Sequence, residues 1–330
     1  MHMSDALLIP AVGGTMYLTS AIAARQSIKK INLEEDYKKL SLMGVAGAFV
    51  FAAQMVNFTI PGTGASGHLC GGVLLTAILG PYAAFITMIG ILLIQALMFA
   101  DGGILALGCN IWNMAFYGCF LGGFLIWKPM MKQGMTKKKI MAASVIASML
   151  TLQLGAFSVV LETTISGITE LPLIQFTALM QPIHLIIGLI EGLITGSVLV
   201  YMYETRPEII WNEKTICEAG NKKTIQLIFT ASLIVSGLFA LLASGNPDGL
   251  EWAIERAANG TEIIGNSAVH HLLSKLQIGT SLLPDYSLPG SSTPFGTILS
   301  GITGVLLLTA SGILASFVLK RFRKKKSYES

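Results

Sequence analysis

The sequence predicts an all-α integral membrane protein: a bundle of about seven helices, then a two-helix hairpin carrying a long external loop. Three observations carry that prediction. Of 330 residues, 53% are hydrophobic and only 12% are charged, about half the charged share of a soluble domain. Apolar segments of membrane-crossing length recur along the chain, and mean hydropathy is +0.67. The basic residues gather in four clusters between those segments.

The apolar segments run over 6–24, 40–60, 69–80, 82–100, 104–127, 140–161, 173–203, 224–243 and 295–319. Most suit a helix crossing about 30 Å of hydrocarbon. The third does not, because twelve residues rise only about 18 Å. Joining it to the fourth gives about 48 Å, which is too long, and Gly80-Pro81-Tyr82 marks a break. No basic residues precede the first segment and no small-residue cleavage site follows it, so Met1 and His2 are expected in the mature protein.

Charge placement supports the break. Twenty of the 22 Lys and Arg residues lie at 25–39, 128–139, 206–223 and 320–326. With the chain interrupted at Pro81, all four clusters fall on one side. The positive-inside rule makes that side cytoplasmic, with the N-terminus outside and the C-terminus inside. A multi-pass protein of the cell membrane, surrounded by lipid and without a nucleic-acid partner, is the expectation. The short third segment then forces Pro61–His68 ("PGTGASGH") to dip into the membrane, where irregular backbone must be buried in protein or line a cavity. The N-terminus lies on that same side. The expected domains are 1–210, a membrane bundle, and 211–330, a hairpin with its loop at 244–294; helix is expected near Glu251–Ala258 and turns near Pro284 and Pro289.

Met1 and His2 offer an unusual donor set. The α-amine, the His2 amide nitrogen and the His2 imidazole Nδ1 can close five- and six-membered chelate rings on one ion. An α-amine loses its proton cheaply near neutral pH when a metal binds. Three nearly coplanar nitrogens suit Ni(II), Cu(II) or low-spin Co(II), which accept a fourth nitrogen in a square plane. His68 is the candidate for the fourth position, on the buried loop between Gly64 and Gly67. The competing interpretation makes His2 a solvated terminal residue and His68 a hydrogen-bonded loop residue. Asp5 can orient the terminus from behind, or serve the first helical turn after Ser4. Asp101, Glu162 and Glu170 lie outside with few basic neighbours and draw cations to that face.

His184 and Glu191 lie seven apart on one face of the seventh segment, as intramembrane groups of functional interest or as an interhelical pair. Gln54, Asn57, Asn110 and Asn113 read as interhelical hydrogen-bonding groups, and Ser20 and Ala24 as a small-residue contact face. His270 and His271 read as solvated surface residues of the loop, with gathering of metal as the alternative. The four cysteines, Cys70, Cys109, Cys119 and Cys217, lack CxxC spacing, and three fall in apolar segments as small hydrophobes. Without a GxxxxGK[ST] sequence, ATP hydrolysis by the P-loop route is not expected of this chain.

"MHMSDALL", "GTGASGHLCGG" and "DGGILALGCNIWNMA" resemble the CbiM/NikM substrate-binding subunit of cobalt/nickel energy-coupling-factor (ECF) transporters, and "NPDGLE" with "LPDYSLPG" resembles its CbiN/NikN partner, the PDGLE domain. The resemblance covers nearly the whole chain, as an M–N fusion. It implies a seven-helix substrate-binding bundle over 1–210 and capture of Co2+ or Ni2+ by Met1, His2 and His68. The ion is then the transported substrate, and no tightly bound cofactor is expected. It also implies a CbiQ/NikQ-like coupling subunit and CbiO/NikO-like ATPases as partners, with the N-part needed for transport. "MHMSDA" departs from the family's frequent "MHIPDG" but keeps His2 and Asp5. A rival from another class rests on "GASG", which fits the GxSG of rhomboid intramembrane proteases, with Ser66 as nucleophile and His184 as base. It leaves His2 unexplained, and the HxxxN pattern of that family is missing.

Overall fold

The structure, a computed structural model, describes residues 1–31, 38–168, 171–211, 222–258, 263–288 and 294–329. Glu170, Cys217 and Pro289 lie outside them. After an extended N-terminus and a short 3-10 turn at Asp5–Leu7, the first part contains α1 (Pro10–Lys30), α2 (Lys38–Gln54), α3 (Gly72–Leu79), α4 (Pro81–Met98), α5 (Leu107–Met131), α6 (Lys137–Ser166) and α7 (Leu173–Thr205). The second part contains α8 (Lys222–Leu238), two loop helices, α9 (Gly249–Ala257) and α10 (Ala268–Thr280), and α11 (Pro294–Glu329).

Among the described residues, five helices are long and apolar enough to cross a membrane: α4, α5, α6, α7 and the Phe295–Val318 part of α11. Of the other expected segments, α2 and α8 are short at 17 residues, the third is a helix of only 8 residues, as its length required, and α1 is long but polar in part, with Thr, Ser and Gln along it. The outer faces of α6 and α7 expose Ile146, Phe157, Leu185 and Leu193, an apolar belt of the kind that faces lipid rather than water.

The break at Pro81 is sharp. Gly80 closes α3 with φ of 78°, a left-handed region that other residues enter only at a cost, and Pro81 opens α4 where its missing N–H is harmless. The short α3 is buried along its whole length, packed against α4 and α5. Ahead of it, the expected irregular loop is a small hairpin, β1 (Phe58–Ile60) with β2 (Ala65–Gly67), pairing Phe58 with Gly67 and Ile60 with Ala65. Ala65, Ser66 and Gly67 are buried, and side chains this small let neighbouring backbone approach closely.

The two parts pack as one body. α2 is sandwiched by α8 and α11. The crossing of α2 and α11 is tight at Gly44 and Gly312, where a Cβ on Gly312 would stand 2.6 Å from the Gly44 Cα. The loop between α8 and α11 folds back over the end of the bundle that holds the N-terminus. Its backbone is pinned there by Ser66 N–H to Pro247 O (2.8 Å), Leu282 N–H to Met98 O (3.0 Å) and Asp285 N–H to Phe99 O (2.8 Å).

Candidate metal centre

The N-terminus is threaded into the bundle rather than solvated. Met1 and Met3 are buried. The Asn110 side chain of α5 grips the Met3 peptide from both sides, accepting from its N–H at 2.8 Å and donating to its carbonyl at 3.2 Å. Gly103 N–H adds a second donor to the Met3 carbonyl at 2.8 Å. Asn110 therefore anchors the terminus. Asn113 next to it bridges helices, donating to Glu162 of α6 at 2.7 Å.

Held this way, the Met1 ammonium reaches His68 and a residue 247 positions away. It donates to His68 Nε2 at 3.2 Å and to Asp248 Oδ2 at 2.6 Å. His68 donates through Nδ1 to the Leu69 carbonyl at 3.0 Å, which leaves the Nε2 lone pair for the amine. The His2 ring stacks on the His68 ring, centroids 5.4 Å apart and 18° from parallel. His2 Nδ1 rests 3.1 Å from Asp101 Oδ1, and Nε2 lies 3.2 Å from Gln95 Oε1. Among the described residues, no three His, Cys, Asp or Glu side chains are arranged to hold a metal ion. An amine, two imidazoles and two carboxylates are what converge.

Electrostatics sets the protonation of these groups. Burial, reinforced by the ammonium and the His2 ring, lowers the His68 pKa to about 4. Burial also lowers that of His2, despite Asp101. Both rings are thus neutral near pH 7, the form that ligates metals. Burial works against the ammonium as well, but Asp248 leads the carboxylates that outweigh it, so the amine's pKa is raised. Burial pushes Asp248 upward, yet the ammonium and His68 hold it well below the usual carboxylate range.

Asp248 was not among the expected site residues. It belongs to "NPDGLE" at the start of α9, where its Oδ1 accepts from Leu250 and Glu251 N–H at 2.8 and 2.9 Å while Glu251 bonds back to its N–H. This capping box leaves Oδ2 aimed at the terminus. Asp101, Asp248, Glu251 and Asp285 join His2 and His68 around a vestibule of about 620 Å³, an acidic mouth that concentrates cations. Tyr286 donates to Asp101 at 2.5 Å and fixes it beside His2.

Other expectations are redirected. Asp5 makes no hydrogen bond to the terminus; it lies in the first turn of the 3-10 helix after Ser4, and its Oδ1 accepts from Ala106 N–H at the start of α5 at 3.0 Å. Ser66 donates to the Asn246 carbonyl at 2.8 Å and so holds the loop. Its Oγ has no hydrogen bond to His184, whose Nδ1 donates to Met180 O at 2.8 Å, and the protease pair does not form. Glu191 accepts from Cys70 and Gly71 N–H at 2.9 and 3.0 Å, clamping the turn before α3 instead of pairing with His184. Gln54 and Gln95 do bridge α2 and α4 at 3.1 Å. Asn57 acts through its backbone carbonyl, which accepts from Ser244 N–H. Ser20 donates to Gly108 O of α5 at 2.9 Å. His270 is buried, not solvated, and its Nε2 lies 3.0 and 2.9 Å from the carbonyls of Asp5 and Leu8, tying α10 to the N-terminal segment. His271 is exposed. Cys70, Cys109 and Cys119 are free and buried.

Residues 2–209 match the family described as the cobalt uptake substrate-specific transmembrane region, CbiM. The chain belongs to the CbiM family. Residues 222–321 match the PDGLE domain, so this CbiM chain is fused to a NikN-like part. It is similar over 98% of its length, at 34% identity, to an Archaeoglobus fulgidus protein assigned as a fused nickel transport protein, NikMN, of which 99% is covered. A fused nickel transport protein NikMN of Rhodobacter capsulatus is 27% identical over 94% of this chain and 95% of its own. A crystal structure of a truncated transition metal transporter, 32% identical, superposes with a TM-score of 0.53 over 62% of this chain and 99% of that one. CbiM chains are metal transport proteins, not enzymes, which removes the protease reading.

Proposed function

We propose that this CbiM chain captures Ni2+ or Co2+ at its N-terminus as the substrate-binding component of an ECF-type importer. The ion takes the α-amine, the His2 amide nitrogen, His2 Nδ1 and His68 Nε2 as its four nitrogens. One observation carries the reading: a terminal amine 3.2 Å from His68 Nε2, with the His2 ring stacked on that same histidine. Metal–nitrogen bonds of about 2.0 Å place neighbouring corners of a square about 2.8 Å apart. The amine and His68 therefore need to close by only a few tenths of an ångström. In the metal-free form, the ammonium proton occupies the cation's place between the His68 lone pair and the Asp248 carboxylate. Binding expels that proton, and the His2 ring turns from Asp101 to bring Nδ1 into the plane.

In this reading residues 1–210 form the metal-binding bundle and 211–330 the PDGLE hairpin. The site lies on the extracytoplasmic side, opposite the basic clusters, and the PDGLE loop covers it with Asp248. Energy comes from a CbiQ/NikQ-like coupling subunit and CbiO/NikO-like ATPases. The test is uptake of radioactive nickel or cobalt by cells carrying the chain with those subunits. Uptake is expected to need ATPase-competent partners and an unsubstituted His68. Uptake unaffected by His68→Ala rejects the site, and uptake without the ATPases rejects the ECF assignment.

A further inference from the structure

Directly inward of the terminal site, the protein holds a histidine with no role so far. His184 of α7 is 1% exposed. Its Nδ1 lies 2.8 Å from the Met180 carbonyl, which can only accept, so the ring proton belongs there. Nε2 is then a bare lone pair, and it has no hydrogen-bond partner. A buried polar atom left unpaired loses its hydration without a replacement partner. An unpaired imidazole lone pair, with its other nitrogen fixed by a carbonyl, is also the state in which histidine ligates metals.

That lone pair borders a cavity of about 10 Å³, lined by Met1, His68, Cys70, His184, Asp248 and the apolar wall of Leu152 and Ile187. The space suits one water-sized occupant. Gly249 of the PDGLE motif closes it, and a Cβ there would stand 3.2 Å from His184 Cε1 and 2.9 Å from Ile187 Cδ1. The cavity shares His68 and Asp248 with the outer vestibule. On its other side it shares Cys70 and Leu152 with a second small cavity that reaches Glu191 and Asn113. Three spaces thus succeed one another inward, with the terminal site between the first and the second.

We propose that His184 Nε2 is a relay ligand, receiving the divalent transition metal as it leaves the terminal site for the bundle interior. The inference rests on the terminus being the capture site. The soft sulfur of Cys70 lines the same cavity, and imidazole with sulfur suits late transition metals over Mg2+ or Ca2+. A lone water in the cavity is the competing occupant, and it gives His184 no part in transport.

The test compares Ni2+ affinity, by calorimetry on the full chain, with Ni2+ uptake in cells. His184→Ala is expected to keep the affinity within about threefold while uptake falls about tenfold or more, the range over which groups supporting a metal site act. His184→Gln, closer in size, repeats the pattern if the ligand is what matters, and retained affinity certifies that the site is folded. Uptake at the native level in either variant overturns the relay, as does a loss of affinity that matches the loss of uptake. A chain acetylated at the Met1 amine serves as the control: native affinity there rejects the capture site itself, whatever His184 does.

Discussion

With the proposed ligand set, the protonation of the terminal site makes metal affinity steeply dependent on pH. Two protons must leave when the ion binds. One sits on the amine, whose pKa is raised by Asp248 against the opposing effect of burial. The other is the His2 amide proton, which stays in place at any ordinary pH without a metal. The imidazoles contribute nothing above about pH 6.5, because His68 is lowered to about 4 and His2 is also lowered. Below the amine's pKa, apparent affinity for Ni2+ therefore rises about a hundredfold per pH unit, about 2.7 kcal/mol. Calorimetry from pH 6.5 to 8, in buffers of different ionisation enthalpy, reads both the slope and the protons released, about two per ion. The sign is fixed: rising pH strengthens binding. A slope near one removes the amide from the ligand set. A flat profile, or an inflection at an ordinary histidine pKa, refutes the protonation scheme.

Further predictions concern the parts that hold the terminus. Asp248→Asn leaves a buried ammonium without its counter-charge, and breaking such a pair costs about 3–5 kcal/mol; thermal unfolding shifts down and a protease finds the PDGLE loop more readily. The same ion pair weakens with acid, since a carboxylate depressed by folding contributes stability above its unfolded pKa that is lost as pH falls towards the folded one. Asn110→Ala strands the Met3 N–H, a loss of about 1–3 kcal/mol, and nickel affinity measured by calorimetry drops about tenfold or more. Gly103→Ala places a Cβ 2.4 Å from the Asp5 backbone nitrogen; overpacking of about 1–3 kcal/mol displaces the terminus, read as weaker nickel binding at unchanged helix content.

Much of the fold is written in local signals. The break at Pro81 follows from a glycine–proline pair and a segment too short to cross, and the structure places it there. The nearness of the terminus to His68 follows from counting crossings and placing basic residues, two constraints that act over the whole chain. The site's acidic side was not legible. Asp248 meets Met1 across 247 positions, and nothing local to "NPDGLE" says which surface it covers. Asp101 and Asp5 show why sequence proximity misled. Asp5 is close in the chain but turns to Ala106, while Asp101, carried round by the loop after α4, reaches His2. His270 reads as a surface residue from its place in the long loop, yet it pins the loop because the loop folds back over α1's entrance. The lone pair of His184 becomes visible only when its missing partner can be seen.

The central claim is that the free amine at residue 1 binds the metal, and selective acetylation of that amine tests it most directly. Acetylation keeps every side chain and the spacing of His2 but removes the amine from the ligand set. Calorimetry with Ni2+ on the folded, detergent-solubilised chain should show high-affinity binding in the native protein and none in the acetylated form. Equal affinity in the two contradicts the account.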